Sequence, residues 1–583
     1  MLRIIPEPTT VTEREGTLEL SDGLRIFASP DQNRAVNALQ AFLKATLGLD
    51  LPLADTAIQG NTIVIATELG DVVSAAPDKP QSYRLDIGDQ IVIEGADSAG
   101  VFYGVMSLLQ TAKDDVKLPR LLLHDEPALG LRAIHWDLKG VMPTFEYLKK
   151  NLQQLARYKM NAIVVEYEDK FVFDKHPTIV SPSALTQEQV KELVELAHNN
   201  FIELIPLVQS LGHAEYVLRH KEYAYVAETE DRCQQFCATN PQTVELIEDF
   251  LAEIVPLHPS EYVHIGGDET RQLGECPRCA AVVEKDGEMG LYFQHLTKIC
   301  QHVVSLGKRP IIWDDMLCRN YRLDLLRQLP PETVIMPWIY GITSDKEFNF
   351  QGPNHTSPYS GQWKQKPYTD TGRLEAHRVG THLHSWALGR GETSHYENYP
   401  TELKEKVASY VEISESPRFF NATPSIPLIQ EAGLEFFAAG AAHTSADGRF
   451  APHVENKIAN LKAWSEIVKK HGGLGLLGTA WARSGSLTAP GAPFEARWHP
   501  TIALAEHAWS GGTVDDKWFD QKCNWRLFGF DGLEITDALY FLRNPDGRFS
   551  NLALRMLREL QPRIERNSDT FASLIVAASL FSV

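Results

Sequence analysis

From about residue 130 the chain repeats one change of rhythm. A stretch with apolar residues at helical spacing gives way to a short continuous apolar run, and then the cycle starts again. Phe145, Leu148, Leu152, Leu155 and Tyr158 stand three or four residues apart, which places them on one face of a helix. Residues 162–167 (Ala-Ile-Val-Val-Glu-Tyr) then read as a strand. Thr186 with Gln189 has the pattern of a capping box ahead of the next helix, and residues 203–208 follow that helix as another strand. Strand candidates fall near residues 132–137, 162–167, 203–208, 262–267, 309–313, 333–338, 434–439 and 474–480. Eight strands with helices between them predict an α/β fold, a (β/α)8 TIM barrel. A doubly wound dinucleotide-binding sheet needs a glycine-rich turn after its first strand. His135-Trp136-Asp137-Leu138-Lys139 offers none.

At 583 residues the chain has room for more than a barrel. Residues 1–126 mix strands, such as 83–87 and 90–95, with two helices, one starting at Ser98. They read as a small α+β domain ahead of the barrel. The barrel is expected over 127–512, and 513–583 as a helical C-terminal region. The apolar stretch 571–583 is 13 residues long, too short to span a bilayer, and reads as a packing helix. Between strands six and seven lies an insertion, about 341–400, rich in Gly, Ser, Pro, Asn and aromatics. Long loops of this kind are usually functional or disordered, and its place on the C-terminal face favours a wall of the active site.

Charge and cysteine usage narrow the partners. The 56 basic against 76 acidic residues give a net charge of −20, which repels phosphate backbones and argues against nucleic acid. The N-terminal MLRIIPEPTT lacks the apolar core of a signal peptide, and seven cysteines do not make a disulfide scaffold. The expectation is a cytoplasmic protein with reduced thiols and no membrane partner.

The segment richest in chemistry is Tyr262-Val263-His264-Ile265-Gly266-Gly267-Asp268-Glu269-Thr270. An apolar strand ends in two glycines and then two adjacent carboxylates, at the barrel mouth where these folds place their chemistry. Side chains alternate along a strand, so Asp268 and Glu269 both face inward only if the strand bends into its loop there. Two carboxylates this close resist double ionisation, and the pair then supplies an acid beside a charge stabiliser.

This segment resembles the signature of glycoside hydrolase family 20, the β-N-acetylhexosaminidases. Ile4-Ile5-Pro6-Glu7-Pro8, Ser82-Tyr83-Arg84-Leu85 and Gly100-Val101-Phe102-Tyr103-Gly104 resemble the family's small non-catalytic domain. Asp137-Leu138-Lys139-Gly140 with Glu166-Tyr167-Glu168-Asp169 is similar to the hexosaminidase D-like branch. The likeness runs over roughly residues 3–510. It implies an exo-acting retaining glycosidase that releases terminal, non-reducing β-linked N-acetylglucosamine or N-acetylgalactosamine from glycans or glycoconjugates, with no catalytic cofactor. By that resemblance Glu269 is the acid and base, and the substrate's own acetamido oxygen attacks C1 to form an oxazolinium ion. Asp268 orients the acetamide. The same resemblance implies that Trp313, Trp338 and Trp481, each ending a strand candidate, enclose the sugar and its acetamide. It gives Tyr340 as the hydrogen bond to the acetamido oxygen and His213 as a neighbour of the pair. Asp137, His264, Asp314 and Glu495 complete the substrate-binding candidates. One departure stands out. Where the family pattern has an Arg shortly after the strand-one Asp, this chain has Lys139-Gly140-Val141. Lys does not reproduce a bidentate grip, so the choice between the C4 epimers stays open.

Cys233-x3-Cys237 and Cys276-x2-Cys279 follow strands three and four and project from the same barrel face. Four thiolates suit a closed structural zinc site; two disulfides or four free thiols are the alternatives. Cys300, Cys318 and Cys523 read as buried apolar residues. Two rival functions fit the same residues less well: an amino-sugar-binding barrel without hydrolysis, and a zinc-dependent hydrolase using His264, Asp268 and Glu269. Oligomeric state is open, with a homodimer among the alternatives.

Overall fold

The computed structural model describes residues 2–57, 60–67, 77–112, 116–139, 142–317, 323–340, 348–351, 419–422, 425–444, 447, 453–482, 493–542 and 547–580. Within them the eight expected strands form a parallel ring: β1 (Leu131–Asp137), β2 (Ala162–Glu166), β3 (Glu203–Leu207), β4 (Tyr262–His264), β5 (Arg309–Trp313), β6 (Val334–Met336), β7 (Glu435–Phe436 continuing as Ala438–His443) and β8 (Gly475–Ala480). The first part of β7 pairs with β6, and the second part pairs with β8. Phe437 N donates to Ile335 O at 3.0 Å and Ala439 N to Pro337 O at 2.8 Å, so the backbone ladder runs through the break and closes the barrel.

Strand period sorts the side chains. Ala133, Val164, Ile205, Leu207, Tyr262, Ile311, Trp313, Met336, Trp338 and Leu477 pack together inside the barrel. Their neighbours Ile134, Ile163, Val165, Leu204, Val263, Ile312, Ile335 and Leu476 face outward and pack in the larger core shared with the surrounding helices. A barrel interior is a packed core rather than a pore, and the inward side chains beyond it rise to the mouth.

Local signals behave as their chemistry dictates. The amphipathic stretch forms the helix Phe145–Arg157, whose Thr144 accepts from Tyr147 N at 3.2 Å. Thr186 and Gln189 make both hydrogen bonds of the capping box ahead of Gln187–Asn199. β4 is shorter than the expected 262–267, because Gly266 and Gly267 take φ of 66° and 89° and turn the chain out of the ladder.

The N-terminal residues form a six-stranded mixed sheet covered by the helices Asn33–Phe42 and Ser98–Ala112. They are joined to the barrel by a buried ion pair. Lys159 Nζ, at the end of the first barrel helix, lies 2.8 Å from Asp125 Oδ2. Trp509 Nε1 donates to the other Asp125 oxygen at 2.8 Å. Past the barrel come the helices Asp516–Phe528, Glu534–Leu542, Gly547–Leu560 and Ser568–Leu580. The last of them buries Phe571, Leu574, Ala577 and Ala578, as expected of a packing helix. No helix among the described residues is long and apolar enough to cross a membrane. Most of the 341–400 insertion, expected as an active-site wall, lies outside the described residues, as do Gly140, Val141 and Cys318.

Candidate active site

Position along β4 decides which carboxylate faces the interior. Tyr262 faces inward, and counting by twos from it leads through His264 and Gly266 to Asp268. Glu269 falls out of phase, and the backbone resolves this by taking φ of 46° there. A left-handed conformation in a non-glycine residue costs of order 1–3 kcal/mol and persists only where its surroundings impose it. Two contacts impose it here. Glu269 N donates to Asp315 Oδ2 at 2.9 Å, and Arg271 Nη2 holds Glu269 Oε1 at 2.9 Å.

His213, in the loop after β3, binds both acids. Its Nε2 lies 3.2 Å from Asp268 Oδ2 and 3.6 Å from Glu269 Oε2. Burial alone would lower the imidazole pKa; the two carboxylates overcome it and push it up to about 10. His213 is therefore a cation at neutral pH. Asp315 takes the opposite role. Burial, and then the charge of Asp268, hold its carboxyl well above the usual carboxylate range, so it stays protonated beside the pair. Asp268 is 4% exposed, and its Oδ1 is buried with no hydrogen-bond partner among the described residues. An unpartnered buried carboxylate oxygen is an acceptor waiting for a donor.

Aromatic walls surround that oxygen's neighbourhood. Trp313 meets Trp338 edge-on at 6.4 Å between ring centroids and lies tilted at 44° to Trp481 at 6.0 Å. Trp338 lies 5.0 Å from Tyr340, and Trp481 Nε1 donates to Tyr340 Oη at 2.9 Å. Trp338 Nε1 points to Asp315 Oδ1 at 3.4 Å, which ties the tryptophan cluster to the acids.

A second charged cluster lines the β1–β2 side. Lys139 Nζ lies 2.9 Å from Asp137 Oδ2 and 2.6 Å from Glu166 Oε2, with Trp481 stacked over it at 4.7 Å. His135 Nε2 lies 3.2 Å from Glu166 Oε2, and Gln209 Nε2 donates to Glu166 Oε1 at 3.0 Å. Burial opposes ionisation of Glu166, but Lys139 and His135 hold its carboxyl well below the usual range. Arg497, also buried, stands at the same side with Asp137 acting on it electrostatically.

The structure thus brings Asp268, Glu269, His213, Trp313, Trp338, Tyr340 and Trp481 to one mouth, with Asp137 beside them. Three candidates are placed differently. His264 Nδ1 accepts from Gly266 N at 3.0 Å, its ring lies 4.6 Å from Trp313, and burial lowers its pKa to about 3; it is a neutral brace below the pair. Asp314 falls out of phase with Trp313 and accepts from Trp338 N at 3.2 Å. Glu495 accepts from Thr570 Oγ1 at 2.5 Å, at the seam with the last helix. Asp315, Glu166, Gln209 and Arg497 were given no role from sequence. For the first three the missing signal was strand phase: two residues beyond Trp313, Val164 and Leu207 stand Asp315, Glu166 and Gln209.

Of the four cysteines grouped by spacing, three come together and Cys233 does not. Cys233 lies in the strand Arg232–Phe236, and Cys237 follows it. At about 3.3 Å per residue an extended i, i+4 pair is separated by about 13 Å, too far to share one ion. The partner strand Ala227–Thr229 instead brings Glu228 to the three sulfurs.

The profile described as "Glycosyl hydrolase family 20, catalytic domain" matches residues 131–352, and "Glycosyl hydrolase family 20, domain 2" matches residues 1–126. A beta-hexosaminidase of Porphyromonas gingivalis is 26% identical over 387 residues, 58% of this chain and 47% of that protein. Hexosaminidase D of Bos taurus is 30% identical over 223 residues, 37% of this chain and 64% of that protein. The chain therefore spans less than two thirds of the length of these relatives. A solved chitobiase of Flavobacterium johnsoniae, 18% identical, superposes with a TM-score of 0.62 over 96% of this chain and 75% of that one. At that identity the likeness is one of fold.

Proposed function

The chain belongs to glycoside hydrolase family 20, and from that membership and its mouth geometry we propose that it is an exo-acting retaining glycosidase releasing terminal β-linked N-acetylhexosamine from glycans. The observation that carries this reading is the arrangement of Asp268 and Glu269 on His213, with Asp268 Oδ1 buried and unpartnered among the described residues. That oxygen is suited to accept the N–H of a 2-acetamido group. The acetamido oxygen, so oriented, attacks C1 while Glu269 gives its proton to the departing glycosidic oxygen. An oxazolinium ion forms, and the carboxylate of Asp268 stabilises the positive charge that develops on it. Glu269, now ionised, takes a proton from the water that opens the ring, and the anomeric configuration is retained. A preplaced internal nucleophile replaces the second catalytic carboxylate of most retaining glycosidases.

Trp313, Trp338 and Trp481 supply apolar walls for the acetamide methyl, and Tyr340 Oη supplies a donor for its oxygen. Protonated Asp315 keeps a second negative charge away from Asp268 while bracing Glu269. Lys139 is held by two carboxylates and is committed to Asp137 and Glu166, so it is not free to grip O3 and O4 as an arginine fork would.

Hydrolysis of the nitrophenyl β-glycosides of N-acetylglucosamine and N-acetylgalactosamine, side by side, tests the proposal. Turnover is expected with at least one. Glu269→Gln is expected to lose most turnover and to keep affinity for N-acetylhexosamine. Wild-type activity in that variant, or a folded wild type inert towards both glycosides, would refute the assignment.

A further inference from the structure

We infer that Cys237, Cys276, Cys279 and Glu228 form a Zn(II) site that clamps the loops after β3 and β4 to one another, behind the catalytic pair. Cys237 Sγ stands 3.6 Å from both Cys276 Sγ and Cys279 Sγ. A disulfide brings its sulfurs to about 2.05 Å. Two thiolates at about 2.3 Å from one tetrahedral zinc lie roughly 3.75 Å apart, which is the spacing found here. The ligand atoms of all four residues lie within 4.8 Å of one another. None of the three cysteines is in a disulfide.

Glu228 supplies an independent observation. It is 3% exposed, and its Oε2 is buried without a hydrogen-bond partner among the described residues. Its other oxygen accepts from Cys276 N at 2.9 Å, which fixes the carboxylate over the sulfurs. Burying a carboxylate among thiols without a cation is costly, and a dication removes that cost. Groups around the ligands orient them as an outer shell does. Cys279 N donates to Cys276 Sγ at 3.3 Å, and Arg278 Nη2 reaches Cys237 Sγ at 3.6 Å, offsetting an excess of negative ligands.

The clamp reaches the active site through one glutamine. Gln272 N donates to Gln235 Oε1 at 2.9 Å, and Gln272 Nε2 donates to Thr229 Oγ1 at 2.9 Å. Gln235 and Thr229 belong to the hairpin that carries Glu228 and leads into Cys237. Gln272 belongs to the loop that carries Glu269. Holding the hairpin therefore holds the loop whose backbone strain aims the acid. All four ligand positions are filled by protein, so the ion is structural and takes no part in the bond cleavage.

The test is the metal content of the full chain, purified without chelator and then incubated with zinc chloride and desalted. One zinc per chain by mass spectrometry is expected. Cys233→Ser is expected to retain it, while Glu228→Ala and Cys279→Ser lose or weaken it. If those two variants misfold, wild type answers alone. Cobalt(II) exchanged into the site should give sulfur-to-metal charge-transfer absorption and tetrahedral visible bands. Chelation should expose three further thiols to a disulfide reagent in both wild type and Cys233→Ser. Zinc below stoichiometric in wild type, no thiolate bands with cobalt, or loss of zinc in a folded Cys233→Ser would overturn the assignment. None of these readouts depends on glycosidase activity.

Discussion

His213→Asn isolates the charge between the two acids. Asn is a neutral side chain that tolerates the left-handed backbone this position needs, with φ of 53°. The variant therefore removes the imidazolium without adding backbone strain. The native imidazole titrates at about 10 against 6.5 in the unfolded chain. A raised pKa means that the folded state binds the proton more tightly, so the stabilisation is complete below pH 6.5 and vanishes as pH climbs through 10. Linkage over that window gives roughly 4–5 kcal/mol at pH 6, roughly 3 at pH 8 and less than about 1 at pH 10. Urea denaturation of wild type and variant at those three pH values measures it. The stability gap should be wide at pH 6 and nearly closed at pH 10. A stability gap that stays constant from pH 6 to pH 10 would refute the reasoning, because the imidazole would then not be held as a cation by the pair.

Three other changes follow from named contacts. Lys139→Met leaves Asp137 and Glu166 buried without their cation, and its cost should be roughly 3–5 kcal/mol in a denaturation experiment; a loss under about 1 kcal/mol would show that other groups neutralise them. Gly266→Ala would place a Cβ 1.9 Å from Gln209 Oε1 at a φ of 66°, so it should push Gln209 off Glu166 and lower both melting temperature and kcat; an unchanged melt would contradict the packing described. Tyr340→Phe removes the acceptor of Trp481 Nε1, and kcat/KM should fall roughly 5- to 150-fold, the equivalent of about 1–3 kcal/mol, in a variant that stays folded; activity within about twofold of wild type would release Tyr340 from the site.

Most of the fold was legible because its signals are periodic. Eight apolar runs with helical stretches between them leave few alternatives to a closed barrel, and all eight appear as strands. The edges were less legible. β4 stops early because two glycines adopt positive φ, which depends on what their backbones must avoid. β7 runs on to His443, beyond the expected end, because its second half is held by β8 rather than by any local pattern.

The site divides along a similar line. Asp268 and Glu269 stand out as neighbours in sequence, and the tryptophans stand out by type. Asp314 and Asp315 also sit side by side, yet nothing local separates their roles. Strand phase does. Trp313 points inward, so Asp314 turns away to brace Trp338, and Asp315 turns in towards Glu269. One step of a two-residue period separates a carboxylate that braces a backbone amide from a protonated partner of the pair. The metal-ligand set turns on the same geometry. Cysteine spacing grouped Cys233 with Cys237, but an extended strand separates residues that a turn would bring together. The fourth corner falls instead to Glu228, a residue type that spacing rules for cysteine do not search. What a sequence pattern misses here is distance along a strand and direction across it, and both become readable once the eight strands are assigned and their inward residues counted.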